Sequence, residues 1–175
     1  SMVLNGRAKK YRISEAVEQN VRRKAKEMGY QPNSLAQGLR TGKTRTIGLI
    51  LGDVSNPFFS KIASCVEKEA ARYNYQVMFA SSDESSEKFE RAAQMFLSKQ
   101  VDGLIVAPTE NSEKIIMDIV KNRKPVVLID RIVKEVPVDY VQIDNKDATY
   151  RLANLIIDQG FKKIAYMTVT HTLSN

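Results

Sequence analysis

From residue 46 onwards, short apolar runs alternate with stretches whose apolar residues recur every three or four positions, and this alternation constrains the fold most. Runs of β-branched and aliphatic residues predict strands, whereas the wider spacing predicts amphipathic helices. Strands that alternate with helices pair in parallel, because each helix carries the chain back across one face of the sheet. We therefore predict an α/β fold with a doubly wound, mostly parallel sheet of six strands, at residues 46–51, 75–81, 103–107, 125–129, 140–143 and 163–168.

Each helical stretch between these strands carries one apolar stripe, which we expect to face the core. Residues 130–139 are too few for such a helix, so an irregular loop should join the fourth and fifth strands. The four stripes consist of Ile62, Val66, Ala70 and Tyr73; Phe89, Ala93, Phe96 and Leu97; Ile115, Ile119 and Val120; and Leu152, Leu155 and Ile156.

The first 45 residues differ from the rest of the chain in charge. They hold eleven Lys and Arg against three acidic residues, a net charge of +8, whereas the remaining residues sum to −1. A basic excess confined to one segment suggests a region that binds a polyanion, although a solvated basic surface has the same composition. The local pattern within the segment has to decide between these two interpretations.

Within this segment, Ser14 is a favourable N-cap and Gly29 a favourable C′ residue, and together they bracket a helix of about four turns. The helix has one apolar stripe, so it must pack on something small. Asn33 can cap a second helix over residues 34–39, which is too short to be stable alone, and a polar linker over residues 41–45 marks a domain boundary. The stripe consists of Val17, Val21, Ala25 and Met28.

The composition excludes several classes of protein. The single cysteine, Cys65, cannot form an internal disulfide, and neither it nor the single histidine, His171, has neighbours spaced as metal ligands. No apolar run is long enough to cross a bilayer and no secretion leader is visible, so the expected location is the cytoplasm, without a membrane partner.

We do not expect an enzyme, and therefore no catalytic residue and no cofactor. The sequence has no G-x-G-x-x-G loop, no Walker A loop, no H-E-x-x-H motif and no nucleophile elbow. Asp130 and Asp144 are acids of the type that can serve as general acid and base, but Arg131 beside them is more typical of a ligand clamp.

Polar and aromatic residues follow the strand ends, where open parallel sheets bind ligands. Such a set offers hydrogen-bond donors and acceptors for the rim of a sugar and an apolar face for its ring, which predicts an effector site. Aspartate, asparagine and serine are also common helix caps at these junctions, so both interpretations remain open. The candidates are Asp53, Ser55, Asn56, Phe58 and Phe59 after the first strand, Ser82 and Asp83 after the second, Asp130 and Arg131 after the fourth, and Asp144 and Asn145 after the fifth.

Several segments that follow one another along nearly the whole chain are specific as a set. They are Ser1-Met2-Val3-Leu4-Asn5-Gly6, residues 13–33 with Gly29-Tyr30-Gln31-Pro32-Asn33 at their end, Ser34 to Thr41, Thr46-Ile47-Gly48-Leu49-Ile50 with Asp53 to Phe59, Val101-Asp102-Gly103-Leu104-Ile105, Val127 to Arg131, Asp144-Asn145 and Gly160 to Tyr166. In this order they resemble the LacI/GalR family of transcription regulators. Gly52 stands where that family usually has proline.

The resemblance implies three regions: residues 1–33 as the C-terminal part of a helix-turn-helix headpiece, residues 34–45 as a hinge helix with its linker, and residues 46–175 as the N-terminal subdomain of an effector-binding domain. Earlier headpiece helices and a C-terminal subdomain would then be missing from this chain. The implied function is a homodimeric, DNA-binding regulator, a repressor by expectation, that binds operator DNA and is controlled by a sugar or a sugar derivative.

The resemblance also assigns roles on DNA. Ser1 would lie at the end of the recognition helix, Leu39 would wedge into a central base step, and Ala36 would let two hinge helices approach each other. Arg40, Lys43 and Arg45 would neutralise phosphates. The residues that would position the protein on phosphates are Asn5, Ser14, Tyr30 and Asn33.

Two other functions compete with this one. A periplasmic-type sugar-binding protein without DNA binding has a similar fold and similar ligand residues, but it would not carry the basic segment over residues 1–45. An α/β enzyme would be indicated by turnover of a sugar phosphate or a nucleotide, and no motif in the sequence predicts such activity.

Overall fold

The computed structural model describes residues 2–4, 6, 8–30 and 42–167. The chain forms two compact units, residues 1–44 and residues 45–175. The predicted short helix over residues 34–39 lies outside the described residues.

The described residues of the first unit form a 3-10 turn, Lys9–Tyr11, and the helix α1, Glu15–Glu27. The predicted helix is confirmed: Ser14 precedes it with extended backbone, and Gly29 follows with φ +60°. The amide of Gly29 donates to Lys26 O at 3.1 Å and the amide of Tyr30 donates to Ala25 O at 2.8 Å, which is the pairing of a Schellman cap. This cap satisfies carbonyls that the helix end would otherwise leave open.

The predicted stripe of α1 is only partly covered by the described residues. Val21 and Ala25 are half-buried, whereas Val17 and Met28 are exposed. Val3 and Ala8 are the buried apolar residues among those described in this unit.

Within the described residues, the second unit is built on a sheet of five parallel strands. These are β1 (Thr46–Leu51), β2 (Gln76–Ser81), β3 (Gly103–Val106), β4 (Val126–Ile129) and β5 (Asp139–Val141). The strand order is β2-β1-β3-β4-β5. In register, Ile47 lies opposite Val77 on one side and Gly103 on the other. The connecting helices are α2 (Pro57–Arg72), α3 (Ser86–Ser98) and α4 (Glu113–Lys121), and α5 (Asn145–Asp158) follows β5.

Both faces of the sheet carry a core, as a doubly wound sheet requires. Along β1, Leu49 and Leu51 pack with Phe59 of α2 on one face. The intervening Ile50 belongs to the larger cluster on the other face, with Phe89 and Phe96 of α3. The predicted α/β class and the parallel pairing are therefore confirmed.

Two expectations about the end of the chain are wrong. Residues 163–167 of the predicted sixth strand form no strand, because their backbone pairs with no neighbouring strand, and residue 168 lies outside the described residues. The fourth stripe is not a core face: Leu152 and Leu155 of α5 are 58 % and 55 % exposed. An apolar stripe predicts burial only where another element covers it, and none of the described elements covers α5.

The predicted irregular connection between β4 and β5 is confirmed. It contains turns and bends, with Val133 and Val136 buried against the α3 and α4 side of the sheet. These two valines anchor the loop that begins with Asp130 and Arg131, so the loop is held against the sheet where β4 ends. Across the described residues, every helix is too short or too polar to span a membrane.

Candidate functional site

The carboxyl ends of four neighbouring strands meet at one edge of the sheet. Because all strands are parallel, the segments that follow β1, β2, β3 and β4 emerge on the same side. This edge contains Asp53 to Phe59 after β1, Ser82 to Glu84 after β2, Pro108 and Thr109 after β3, and Asp130 and Arg131 after β4.

The segment after β1 is ordered by its own polar side chains. The carboxylate of Asp53 accepts from the amide of Ser55 at 2.8 Å and from its hydroxyl at 2.8 Å. Asn56 is the N-cap of α2, and its Oδ1 accepts from the amide of Phe58 at 2.9 Å. The helix-cap interpretation therefore holds for Asn56, which remains exposed at the edge.

The two aromatic residues of this segment have different surroundings. Phe59 is 4 % exposed and belongs to the core, whereas Phe58 is 42 % exposed. Their ring centroids are 5.2 Å apart and the ring planes meet at 65°, an edge-to-face contact. Phe58 thus rests on a buried ring and offers the apolar surface, while Phe59 supports it from the core.

The two candidate residues after β2 also differ in their surroundings: Ser82 is buried beneath the edge, and Asp83 is exposed at it. Ser82 is fully buried, and its hydroxyl donates to Leu51 O at 3.1 Å, so it ties β2 to β1. Asp83 forms an ion pair with Lys88, and the hydrogen bond from Lys88 is the main cause that holds the pKa of Asp83 below its ordinary value. Asp83 and Glu84 both have positive φ, at 47° and 58°, a backbone turn that non-glycine residues rarely adopt.

Arg131 contacts residues from several of the strand ends at this edge. Its guanidinium donates to Glu84 through both Nη1 and Nη2, the Nη2 bond to Oε1 measuring 3.1 Å. Nη1 also donates to Pro108 O at 3.4 Å, and Nε lies 3.7 Å from Oδ2 of Asp130. The hydrogen bond with Glu84 is the main cause that raises the pKa of Arg131. These contacts join the segments after β2, β3 and β4 into one polar cluster.

Asp130 has an unusual backbone conformation and a carboxyl whose pKa is shifted. Its φ is 68°, in the left-handed region. Burial raises the pKa of its carboxyl above the ordinary value; the charge of Arg131 opposes this shift and the charge of Glu84 adds to it. The backbone of the same residue is fixed by its amide, which donates to Val141 O at 3.0 Å.

We expect Asp130→Asn to stabilise the protein near pH 7. A carboxyl whose folded-state pKa is raised costs stability when ionised, and the cost disappears as the pH falls through that pKa to the unfolded value. Asparagine also tolerates the left-handed region well. Because the group is partly solvated, the gain should be at most about 1 kcal/mol, or about 2 to 4 °C in Tm. Thermal unfolding at several pH values measures this.

The exposed Asp118 provides the control for this measurement. Asp118→Asn removes the same charge from a surface ion pair and should change Tm little at any pH. A gain for Asp130→Asn that persists undiminished as the pH falls through the raised pKa of Asp130 and below the ordinary aspartate value of about 3.9 would contradict the ionisation argument.

The residues after β5 also emerge at this edge, because β5 runs parallel to its neighbour β4. Asp144 is the N-cap of α5, its Oδ1 accepting from the amide of Asp147 at 2.9 Å, and Asn145 is the first residue of that helix. Both residues are exposed. Within the described part of the chain, no hydrogen bond or ion pair joins either of them to Arg131. The helix-cap interpretation therefore holds for Asp144 as well.

Sequence reasoning missed Glu84 and Thr109. Glu84 follows the second strand as directly as Asp83 does, but nothing in the local pattern indicates that its carboxylate reaches the segment after β4. Thr109 is 1 % exposed and follows the carbonyl that binds Arg131; within the described part of the chain its Oγ1 is the buried side-chain atom without a hydrogen-bond partner.

Four of the residues assigned to DNA binding lie within the described residues: Ser14, Tyr30, Lys43 and Arg45. Ser14 is exposed and occupies the N-cap position of α1, but its hydroxyl accepts no capping hydrogen bond from the helix. Tyr30 is 54 % exposed. Those outside the described residues are Ser1, Asn5, Asn33, Ala36, Leu39 and Arg40.

Part of the basic charge is already engaged. On α1, Arg22 pairs with Glu18 at 2.8 Å and Arg23 pairs with Glu27 at 2.8 Å. Arg45, expected to contact phosphate, is fixed to the second unit: Nη1 donates to Tyr73 O at 3.2 Å and the guanidinium lies 5.5 Å from the ring centre of Tyr75. The exposed cations Lys9, Lys10 and Arg12 lie just before α1.

Comparison with known proteins now decides the family. The profile of the family described as periplasmic binding proteins and sugar binding domain of the LacI family matches residues 44–174. The chain belongs to this family. The match covers the whole sheet and the Arg131 cluster, and it agrees with the resemblance carried by the sequence motifs.

Named relatives of this LacI-family chain are regulators. Catabolite control protein A of Priestia megaterium is 32 % identical over 170 residues, which is 97 % of this chain and 50 % of that protein. The structure of the Cra transcriptional dual regulator of Pseudomonas putida, solved with fructose 1-phosphate, is 31 % identical with a TM-score of 0.60, covering 66 % of this chain and 43 % of that one. The chain thus spans about half the length of the relatives that it matches.

A third comparison concerns the fold alone. The lac repressor dimer, solved bound to operator and an anti-inducer, aligns with 94 % of this chain and 49 % of its own, with a TM-score of 0.80 and 20 % identity. At that identity only the shared architecture follows.

Proposed function

We propose that this LacI-family chain is part of a DNA-binding transcription regulator whose activity is set by a small sugar-like effector. The observation that carries the proposal is the cluster around Arg131, where Glu84, Pro108 and Asp130 from three different strand ends converge on one guanidinium. In an open parallel sheet, this edge is where ligands bind.

The effector part rests on the chemistry of the edge. Arg131 presents a planar fork of donors, the carboxylates of Glu84 and Asp130 can accept from hydroxyl groups, and Phe58 offers an exposed ring at the same edge of the sheet. Hydroxyl groups both donate and accept, so a polyol satisfies both kinds of partner. The family's description as a sugar binding domain supports the same class of ligand.

The DNA part rests on charge and on the relatives. The net charge of +8 over residues 1–45 suits the phosphate backbone, and Lys9, Lys10, Arg12 and Ser14 are exposed in one short stretch. Relatives that are more than 30 % identical to this chain are named as transcriptional regulators. We propose a homodimer that binds a near-palindromic operator in the cytoplasm and acts as a repressor.

A sugar-binding protein without DNA binding is the second candidate, because the family's description covers both periplasmic binding proteins and regulators. The two candidates share the Arg131 edge and differ in the basic segment. DNA binding therefore discriminates between them, whereas sugar binding does not.

The decisive experiment selects DNA from a random pool with the protein in its full natural length, with and without a panel of sugars. A regulator should enrich a near-palindromic sequence, and one sugar should change its affinity at fixed salt. Sugar binding without any enriched sequence would favour the second candidate. Loss of both activities would contradict the proposed function.

In the same protein, Leu39→Ala should weaken binding to the selected operator with little change in sugar affinity, because a wedge residue acts only on DNA. The expected loss is about tenfold or more, because the wedge side chain offsets an unstacking cost of a few kcal/mol, and alanine is too small to do so. Fluorescence anisotropy for DNA and calorimetry for sugar measure the two affinities separately. An equal loss of sugar affinity would count against this role.

A further inference from the structure

We propose that Glu84 is a specificity-determining residue that makes the effector site accept neutral polyols and reject phosphorylated or otherwise anionic sugars. The inference rests on the proposed effector site and names the charge class of its ligand. It starts from an observation that neither the sequence motifs nor the comparisons assign: the fork of Arg131 is already engaged by the carboxylate of Glu84.

The geometry makes this pairing part of the fold. In the order β2-β1-β3-β4, Glu84 after β2 and Arg131 after β4 are separated by two intervening strands, so the pair spans the edge of the sheet. Asp83 and Glu84 are two consecutive left-handed residues, and the amide of Asp83 donates to the carbonyl of Gly52, directly after β1, at 2.6 Å. A side chain on Gly52 would collide with the carboxylate of Glu84, so the absence of one at this position leaves room for the pair.

The charge balance around the guanidinium is negative. Arg131 is only 13 % exposed at its side chain, and Glu84 and Asp130 both lie beside it. The charge of Glu110 also acts on it. The guanidinium therefore lies beside two carboxylates and within the field of a third, in a partly buried setting where charges interact more strongly than in water.

This balance distinguishes between two kinds of ligand. A neutral polyol can accept from the remaining donors of Arg131 and donate to Glu84 and Asp130 without displacing any group. A phosphate ester brings only acceptors and negative charge at its ionised end. Whether it accepts from the remaining donors of Arg131 or displaces Glu84, it lies beside carboxylates that repel it. Glu84 is thus the repulsive element of the site.

The test measures binding of matched neutral and phosphorylated sugars to the full-length protein by calorimetry: ribose and ribose 5-phosphate, fructose and fructose 1-phosphate, and inorganic phosphate alone. For wild type, we expect a neutral sugar to bind at least about tenfold more tightly than its phosphate ester. In Glu84→Gln, which keeps the shape but removes the charge, affinity for phosphate and the esters should rise by about tenfold or more.

Two variants control for charge and for folding. Glu87→Gln removes the same charge three residues away, from an exposed pair with Arg91, and should leave all affinities unchanged. Glu84→Asp keeps the charge and should keep the rejection of phosphate. Circular dichroism and Tm verify that each variant is folded.

The outcomes separate this inference from the proposed function. Equal phosphate affinity in wild type and Glu84→Gln, or tighter binding of the esters by wild type, overturns the role of Glu84 even if sugars bind. Failure of wild type to bind any sugar while it selects DNA overturns the effector site as well.

Discussion

Arg131→Ala should lower the affinity of the full-length protein for its effector by about 2 to 3 kcal/mol, which is roughly 30- to 150-fold in Kd. The change removes charged hydrogen bonds to the ligand, and it leaves the partly buried carboxylates of Glu84 and Asp130 without their cation. Calorimetry with whichever sugar binds wild type measures the loss. DNA affinity without effector should change much less.

Two further variants interpret this result. Arg131→Lys keeps the positive charge but loses the planar fork, so it should fall between wild type and alanine. Arg91→Ala removes an exposed arginine that pairs with Glu87 at 3.5 Å, and this variant should bind the effector normally. If Arg131→Ala bound the effector as wild type does, the assignment of the site to this edge would be wrong.

Phe96→Ala should destabilise the protein by about 3 to 5 kcal/mol, a large share of the stability of an ordinary domain. The ring is fully buried in the cluster between α3 and the sheet, next to Phe89 and Leu104, so its removal leaves a cavity lined by rigid neighbours. Urea unfolding measures the loss as a lower midpoint with an unchanged slope. Phe79→Ala, at a position that is 43 % exposed, is the matched control and should cost clearly less.

A second substitution tests the same contact from the other side. A Cβ on Gly48 would lie 2.5 Å from the ring of Phe96, so Gly48→Ala overpacks the core and should cost about 1 to 3 kcal/mol. Combined with Phe96→Leu, the loss should be smaller than the sum of the single losses, because the two changes meet in one space. If the two losses of stability were strictly additive, a side chain at position 48 and the ring of Phe96 would not compete for the same space.

The candidate site was predictable only in part. Polar residues at strand ends indicated the edge at which the Arg131 cluster lies, because the carboxyl ends of parallel strands meet at one edge of the sheet. The same residue types serve as helix caps, and Asn56 and Asp144 do so here. Phe58 and Phe59 are identical in type and adjacent, so only packing distinguishes the exposed ring from the buried one.

The sequence by itself determined the features that depend on near neighbours. The periodicity of apolar residues defined β1 and α3 closely, and capping residues defined α1, because hydrogen bonds and side-chain spacing within a few residues decide these elements.

Only the tertiary structure decided which distant groups meet. The pairing of Glu84 with Arg131 joins residues 47 positions apart and depends on the order of the strands and on two left-handed residues. Similarly, Phe89 of α3 is buried and Leu155 of α5 is exposed although both lie on helical stripes. Burial and ion pairing are properties of the surroundings, and the local sequence does not contain the surroundings.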